Sequence, residues 1–128
     1  MEDNTTKNIV VCDLSGTLFR TDNTPNPPVV ALIHAMHAQG HDIVFLTGLR
    51  QRHRGAINVR LKAIDLAPSE RIHLLMRPEG YNRAPVTFKE EIVTGFIDAN
   101  KILFALDDTP TILRMYAKHG IPTMQVRT

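Results

Sequence analysis

In this sequence an apolar run stops at a polar residue in three places. Asp13 follows Ile9-Val10-Val11-Cys12, Thr47 follows Ile43-Val44-Phe45-Leu46, and Asp107-Asp108 follows Ile102-Leu103-Phe104-Ala105-Leu106. A bare carboxylate at the edge of a buried strand is costly unless something compensates it. Asp13 and Asp107 are distant in sequence yet occupy equivalent strand ends. If their strands are neighbours, the pair makes an oxygen-rich site suited to Mg²⁺, a cation that offsets carboxylate repulsion and attracts phosphate oxygens. The plainer alternative is that each aspartate caps the helix after it.

The elements that must position these residues alternate regularly. Ile9–Cys12, Ile43–Leu46, Ile72–Met76, Ile102–Leu106 and Thr123–Val126 read as strands, the first four short, apolar and bounded by turn residues. Residues 15–28 carry Gly16, Asn23 and three prolines and read as a loop. A first helix runs from Pro28, with Val29, Ile33 and Met36 on one face, to Gly40. A second carries Ile57, Leu61 and Ile64, a third spans Thr87 to Asp98, and a fourth runs from Pro110 to Gly120 burying Ile112, Leu113 and Tyr116. Thr47-Gly48 reads as the end of the second strand. Five continuous strands separated by helices predict an α/β fold: a three-layer, Rossmann-like parallel sheet covered on both faces. Ligands of such sheets bind beyond the carboxyl ends of the strands, where the aspartates lie.

Composition narrows the classes. With 128 residues there is material for one domain, 1–128, and one core. Hydrophobic residues at 43% and charged ones at 22% exclude a disordered chain. No apolar run reaches the roughly 18 residues of a membrane span, and the acidic, polar start is not that of a secretory signal. Cys12 is the only cysteine, so no internal disulfide forms and a cytoplasmic setting is the expectation. A net charge of +2 does not by itself mark a nucleic-acid binder, and the absence of Trp argues against a base-stacking platform.

Asp13-Leu14-Ser15-Gly16-Thr17-Leu18 resembles motif I of the haloacid dehalogenase (HAD) superfamily, Thr47 resembles motif II, Lys89 stands where motif III supplies its lysine, and Leu106-Asp107-Asp108 resembles motif IV. The four occur in order over nearly the whole chain. Within that superfamily, Met76-Arg77-Pro78 through Lys89-Glu90-Glu91, then Ala105 through Pro110 to Val126, is similar to the phosphatase module of phage polynucleotide kinase-phosphatases. The kinase half has no counterpart, since no Gly-x-x-x-x-Gly-Lys-Ser/Thr occurs.

The resemblance implies a Mg²⁺-dependent phosphomonoester hydrolase. Asp13 would attack phosphorus and form an aspartyl-phosphate. Asp13, Asp107 and the Ser15 backbone carbonyl would hold Mg²⁺, with Asp108 binding through water or orienting the other ligands. Thr47 and Lys89 would hold phosphoryl oxygens. Gly16 would turn the backbone so that amides face the phosphoryl group, Thr17 would steady that turn, and Gly48 and Arg50 complete the expected substrate-binding set. The substrate would be a phosphorylated small molecule or a nucleic-acid 3′-phosphate end. Ser15 departs from the pattern, because phosphatases of this type usually place there an aspartate that protonates the leaving group. A serine hydroxyl is no proton reservoir near neutral pH, so reduced or altered acid–base catalysis is expected. The alternative function is a catalytically weak domain that binds phosphate or a phosphorylated partner.

Between Asp13 and Thr47 there is room for a loop, a helix and a strand, and between Thr47 and Lys89 for a helix, a strand and a loop. No sizeable cap domain fits, so the site should be open to a large substrate or to a lid from a homo-oligomeric partner. Arg50, Arg52, His53 and Arg54, directly after Thr47, could grip a further phosphate or could form a solvated first turn. Cys12 is expected to be a quiet core thiol.

Overall fold

The computed structural model describes residues 6–127. Strands β1 (Ile9–Cys12), β2 (Asp42–Arg50), β3 (Ile72–Arg77), β4 (Ile102–Asp107) and β5 (Thr123–Gln125) form one parallel sheet in the order β3-β2-β1-β4-β5. The chain builds outward from β1 through β2 to β3, then returns to lay β4 on the other side of β1. This reversal is the switch point at which an open α/β sheet has a crevice at its carboxyl edge.

Helices α1 (Pro27–Ala38) and α2 (Arg54–Ala63) cover one face, and α3 (Pro85–Glu91) and α4 (Pro110–Lys118) the other. Alternation along β1 divides the core accordingly. Val10 and Cys12 pack with Ile33, Phe45, Ile57 and Leu61, whereas Val11 packs with Leu46, Phe88, Ala105 and Tyr116. Both faces need apolar residues, so the strands read as unbroken hydrophobic runs. Among the described residues no cap is inserted into this three-layer α/β frame, and no helix is long and apolar enough to cross a membrane.

Several local readings are corrected. β2 does not stop at Thr47-Gly48. It runs on to Arg50, with its register on β3 shifting between Thr47 and Arg50. The third helix starts at Pro85, the proline at its first turn, and gives way to a wider π-helical turn over Ile92–Phe96, so Ile97 is already extended. α4 buries Ile112, Met115 and Tyr116 at helical spacing, and Leu113 lies at the margin, only half-buried. β5 is an exposed edge strand of three residues.

The segment from 15 to 26 is shaped rather than loose. Phe19 bridges to Ser15 and to Pro25, and the buried Asn26 amide donates to the Thr17 carbonyl at 3.1 Å. α3 is held from both sides. Arg83 and the Tyr81 hydroxyl both donate to Glu91, and His119 at the end of α4 meets Glu90 at 2.7 Å.

The packing of α2 predicts a sharp contrast. Ile57 is 2% exposed and Val59 is 70% exposed. Ile57→Ala should cost about 2–5 kcal/mol in a urea unfolding titration, and Val59→Ala should stay within about 0.5 kcal/mol of the parent. Equal effects would contradict the assigned helix face.

Candidate active site

Parallel pairing brings the first and fourth strand ends together. Cys12 lies opposite Leu106, and the Asp13 amide donates to the Leu106 carbonyl at 3.0 Å, which sets Asp13 beside Asp107. Both carboxylates are buried, Asp107 completely, and neither could persist there alone. Lys89, reaching in from α3 and itself only 2% exposed, compensates them: its Nζ donates to Asp13 Oδ1 at 3.0 Å and to Asp107 Oδ2 at 2.8 Å. Thr17 Oγ donates to the other Asp13 oxygen at 3.2 Å, and the Thr109 amide to Asp107 Oδ1 at 3.0 Å. The aspartates are therefore not helix caps: the N-cap of α4 is Thr109, which has no side-chain cap bond, and the bond Asp107 accepts from the Thr109 amide lies just ahead of that helix.

Burial pushes the Asp13 carboxyl up to about 7; Lys89 opposes the rise, and the charges of Asp107 and Asp108 add to it. For Lys89, burial acts downward, but Asp13 and Asp107 outweigh it and hold the ammonium above its usual value. One cation facing several carboxylates leaves the group short of positive charge. Burial likewise raises the Cys12 thiol, which donates to the Asp13 carbonyl inside the core.

After Asp13 the chain must turn at once. Gly16 does so at φ +80°, where a side chain would be strained, and it has no room for one: a Cβ there would run into the Asp108 carboxylate, with Cγ 2.8 Å away. The missing side chain is the space in which Asp108 approaches the motif. Asp13, Asp107 and Asp108 each offer an oxygen within 4.8 Å of the others, a hard, all-oxygen set that suits Mg²⁺.

The second strand completes the floor. The Leu49 amide donates to Thr47 Oγ at 3.1 Å, so the hydroxyl proton remains available to an acceptor. Gly48 is a point of close approach, because a Cβ there would lie 2.8 Å from Pro85 Cβ. Bringing β2 and the start of α3 this close carries Lys89 to the strand ends.

An open cavity of 250 Å³ joins Asp13, Ser15, Thr47, Gly48, Lys89 and Asp108. Gly16 and Thr17 sit behind it and shape the turn. Asp107 lies beneath, in contact through Lys89. Arg50 is elsewhere. Its guanidinium donates to the carbonyls of Pro78, Glu79 and Tyr81 at 2.8–3.1 Å and clamps the loop before α3, because the extension of β2 directs it there. The neighbouring basic residues are similarly engaged: Arg52 with Glu79, Arg54 with Gln51 and the Leu74 carbonyl. Thr109 and Asn26 carry parts of the site that the sequence does not single out. A Thr-Pro pair opening a helix after paired aspartates was the available signal for Thr109, and nothing marked Asn26. A larger hollow of 330 Å³ lies at the opposite, amino ends of the strands, lined chiefly by apolar groups such as Ile9, Val44 and Phe96.

The polynucleotide kinase PNKP phosphatase domain family matches residues 7–128, and the chain belongs to that family. Among solved structures, the chain is similar to a chain of the Pnkp1/Rnl/Hen1 complex, with 24% identity, a TM-score of 0.86, and coverage of 97% of this chain and 47% of that one. A chain of the Pnkp1/Rnl/Hen1 RNA repair complex gives 23% identity, a TM-score of 0.83, and coverage of 98% and 44%. This chain thus spans about half the length of either. No curated protein sequence matches it.

Removing the buried cation tests the cluster. In metal-free buffer Lys89→Met should lower the unfolding free energy by about 3–5 kcal/mol, because it strands two buried carboxylates. A loss below about 0.5 kcal/mol, the range of an ordinary surface lysine, would contradict the arrangement.

Proposed function

We propose that this chain is a phosphomonoester hydrolase with Asp13 as its nucleophile, forming one catalytic unit over residues 1–128. The reading rests above all on one observation: a buried carboxylate at the mouth of an open cavity, hydrogen-bonded to a buried lysine. An Asp13 oxygen attacks phosphorus in line, the bond from phosphorus to the ester oxygen breaks, and the departing alkoxide takes a proton from water. Water then attacks the aspartyl-phosphate, releasing inorganic phosphate and restoring Asp13. Thr47 donates its free hydroxyl proton to one phosphoryl oxygen, and Lys89 supplies positive charge beside another. Mg²⁺ held by Asp13, Asp107, Asp108 and the Ser15 carbonyl would neutralise the charge that builds on the phosphoryl oxygens.

Ser15 limits this chemistry. The cavity wall holds Asp13, Lys89 and Asp108 as its titratable groups, and the first two are occupied with each other. Lack of a dedicated general acid costs about 10²–10⁴-fold, or roughly 3–6 kcal/mol of barrier. Good leaving groups are therefore preferred. The same observation favours a second reading, a domain that binds a phosphorylated partner and turns it over poorly. The substrate we favour is a nucleotide or nucleic-acid 3′-phosphate end. Supporting this are the family's polynucleotide kinase namesake, the RNA repair complex named for one structural match, and the uncapped cavity.

With p-nitrophenyl phosphate and Mg²⁺, whose leaving group needs little protonation, the parent chain should hydrolyse substrate and Asp13→Asn should fall to the buffer background. Equal rates for the two would favour the binding domain. Ser15→Asp should raise turnover of a 3′-phosphorylated oligonucleotide by about tenfold or more, and no gain would refute the role given to Ser15.

A further inference from the structure

Lys89 reaches both carboxylates from a helix that cannot fix it unaided. α3 has seven residues, too few to keep their shape without tertiary support. It widens directly into the π-helical turn of Ile92–Phe96, and Lys89 lies just before that change. At such a boundary a slip of one residue moves a side chain about 1.5 Å along the axis and about 100° around it. The two Lys89 bonds, at 3.0 and 2.8 Å, survive neither movement.

Glu90, the next residue, stands where a slip would be felt. Its carbonyl accepts from Thr94 Oγ at 2.7 Å across the boundary, and its carboxylate crosses to the end of α4. There Oε2 meets His119 Nε2 at 2.7 Å and Lys118 Nζ at 3.5 Å. The hydrogen bond from His119, ahead of the charge of Lys118, holds the Glu90 carboxyl below the usual carboxylate range. Glu90 is therefore an ionised acceptor, and His119 is the donor. The two partners are unequal. The Lys118 side chain is 71% exposed and contributes little, whereas the His119 ring is only 25% exposed.

The link closes a ring. α4 opens directly after Asp107 and Asp108, and His119 follows its last turn. Lys89 bonds to Asp107, and its neighbour Glu90 bonds to the far end of the helix that Asp107 precedes. The other anchor, from Tyr81 and Arg83 to Glu91, ties α3 only to the loop before it. His119 thus fixes α3 against the element that carries the acidic cluster, yet it lines no part of the phosphoryl cavity.

We propose that Glu90 and His119 are a positioning pair: their bond holds Lys89 in register between Asp13 and Asp107, and through it sets the rate of phosphoryl transfer. The inference rests on the phosphatase reading and adds to it a control point outside the cavity. Without the bond, α3 is free to shift at its π-helical end, and the ammonium moves off the phosphoryl oxygen it serves.

Two measurements on the full chain test the pair: hydrolysis of p-nitrophenyl phosphate with Mg²⁺, and acetylation of Lys89 by acetic anhydride, mapped by peptide. His119→Ala and Glu90→Ala should each lower kcat about tenfold with KM within about twofold of the parent, because the displaced contact matters most in the transition state. The double variant should be no slower than either single one, since each removes the same bond. His119→Gln, whose amide donates to the same carboxylate oxygen, should restore kcat to within about threefold of the parent, and Lys118→Gln should leave it unchanged. Lys89, shielded in the parent, should acetylate about tenfold faster in both alanine variants, with the circular dichroism spectrum unaltered. A parental kcat in His119→Ala, an equal loss in His119→Gln, losses that multiply in the double variant, or a Lys89 equally shielded without the bond overturns the pair. Acetylation needs no turnover, so the two readings fail separately. If hydrolysis proves independent of Asp13, the phosphatase reading falls, while faster acetylation still assigns the placement of Lys89 to Glu90 and His119.

Discussion

Two carboxylates at the buried end of a parallel sheet repel each other and lose their hydration together, and in this chain Lys89 is what makes that position tenable. The ammonium bonds to both Asp13 and Asp107 from within the protein, with almost no access to solvent. It does not finish the task. With Asp108 close by, three carboxylates face one ammonium; the upward shift of Asp13 comes first from its burial, which Lys89 opposes and the charges of Asp107 and Asp108 reinforce. A cluster held together but short of positive charge is what a divalent cation and an electrophilic phosphorus would complement.

Much of the fold serves this junction. Placing β1 at the centre, with β2 on one side and β4 on the other, gathers three carboxyl strand ends at one rim. The neighbouring backbone is then trimmed to let side chains in. Gly16 gives up its side chain to Asp108, and Gly48 gives up its own to Pro85, so that α3 can lie low enough for Lys89 to reach. Glu90 and Glu91 fasten α3 to the end of α4 and to the preceding loop. Arg50, on the extended end of β2, pins the other side of that loop. The helix carrying the key cation is thus anchored along its length.

The strand cores, the parallel class and the residues that meet at the rim were legible from the sequence, because an apolar run closed by a carboxylate is a strong local signal and strand ends of one sheet converge. What escaped was set by tertiary approach. Gly48 reads as a strand terminator, since nothing local tells it apart from a glycine that lets another chain segment come close. Arg50, freed of a turn by the continuation of β2, became a loop clamp. Leu113 and Met115 exchanged burial because a shift of a few tens of degrees in a helix's facing cannot be read from a short amphipathic stretch. Asn26 anchors the turn after Asp13 through a single amide, a role with no sequence signature of its own.

The most direct test of this account is to follow where the phosphorus goes. A phosphomonoester carrying a labelled phosphoryl group is mixed with the chain and Mg²⁺, quenched in acid during turnover, and the label is mapped by peptide. Label is expected on the peptide containing Asp13, at up to one group per chain, and none there in an Asp13→Asn chain. Hydrolysis that proceeds with no label at residue 13, or with label on another side chain, would contradict that role for Asp13.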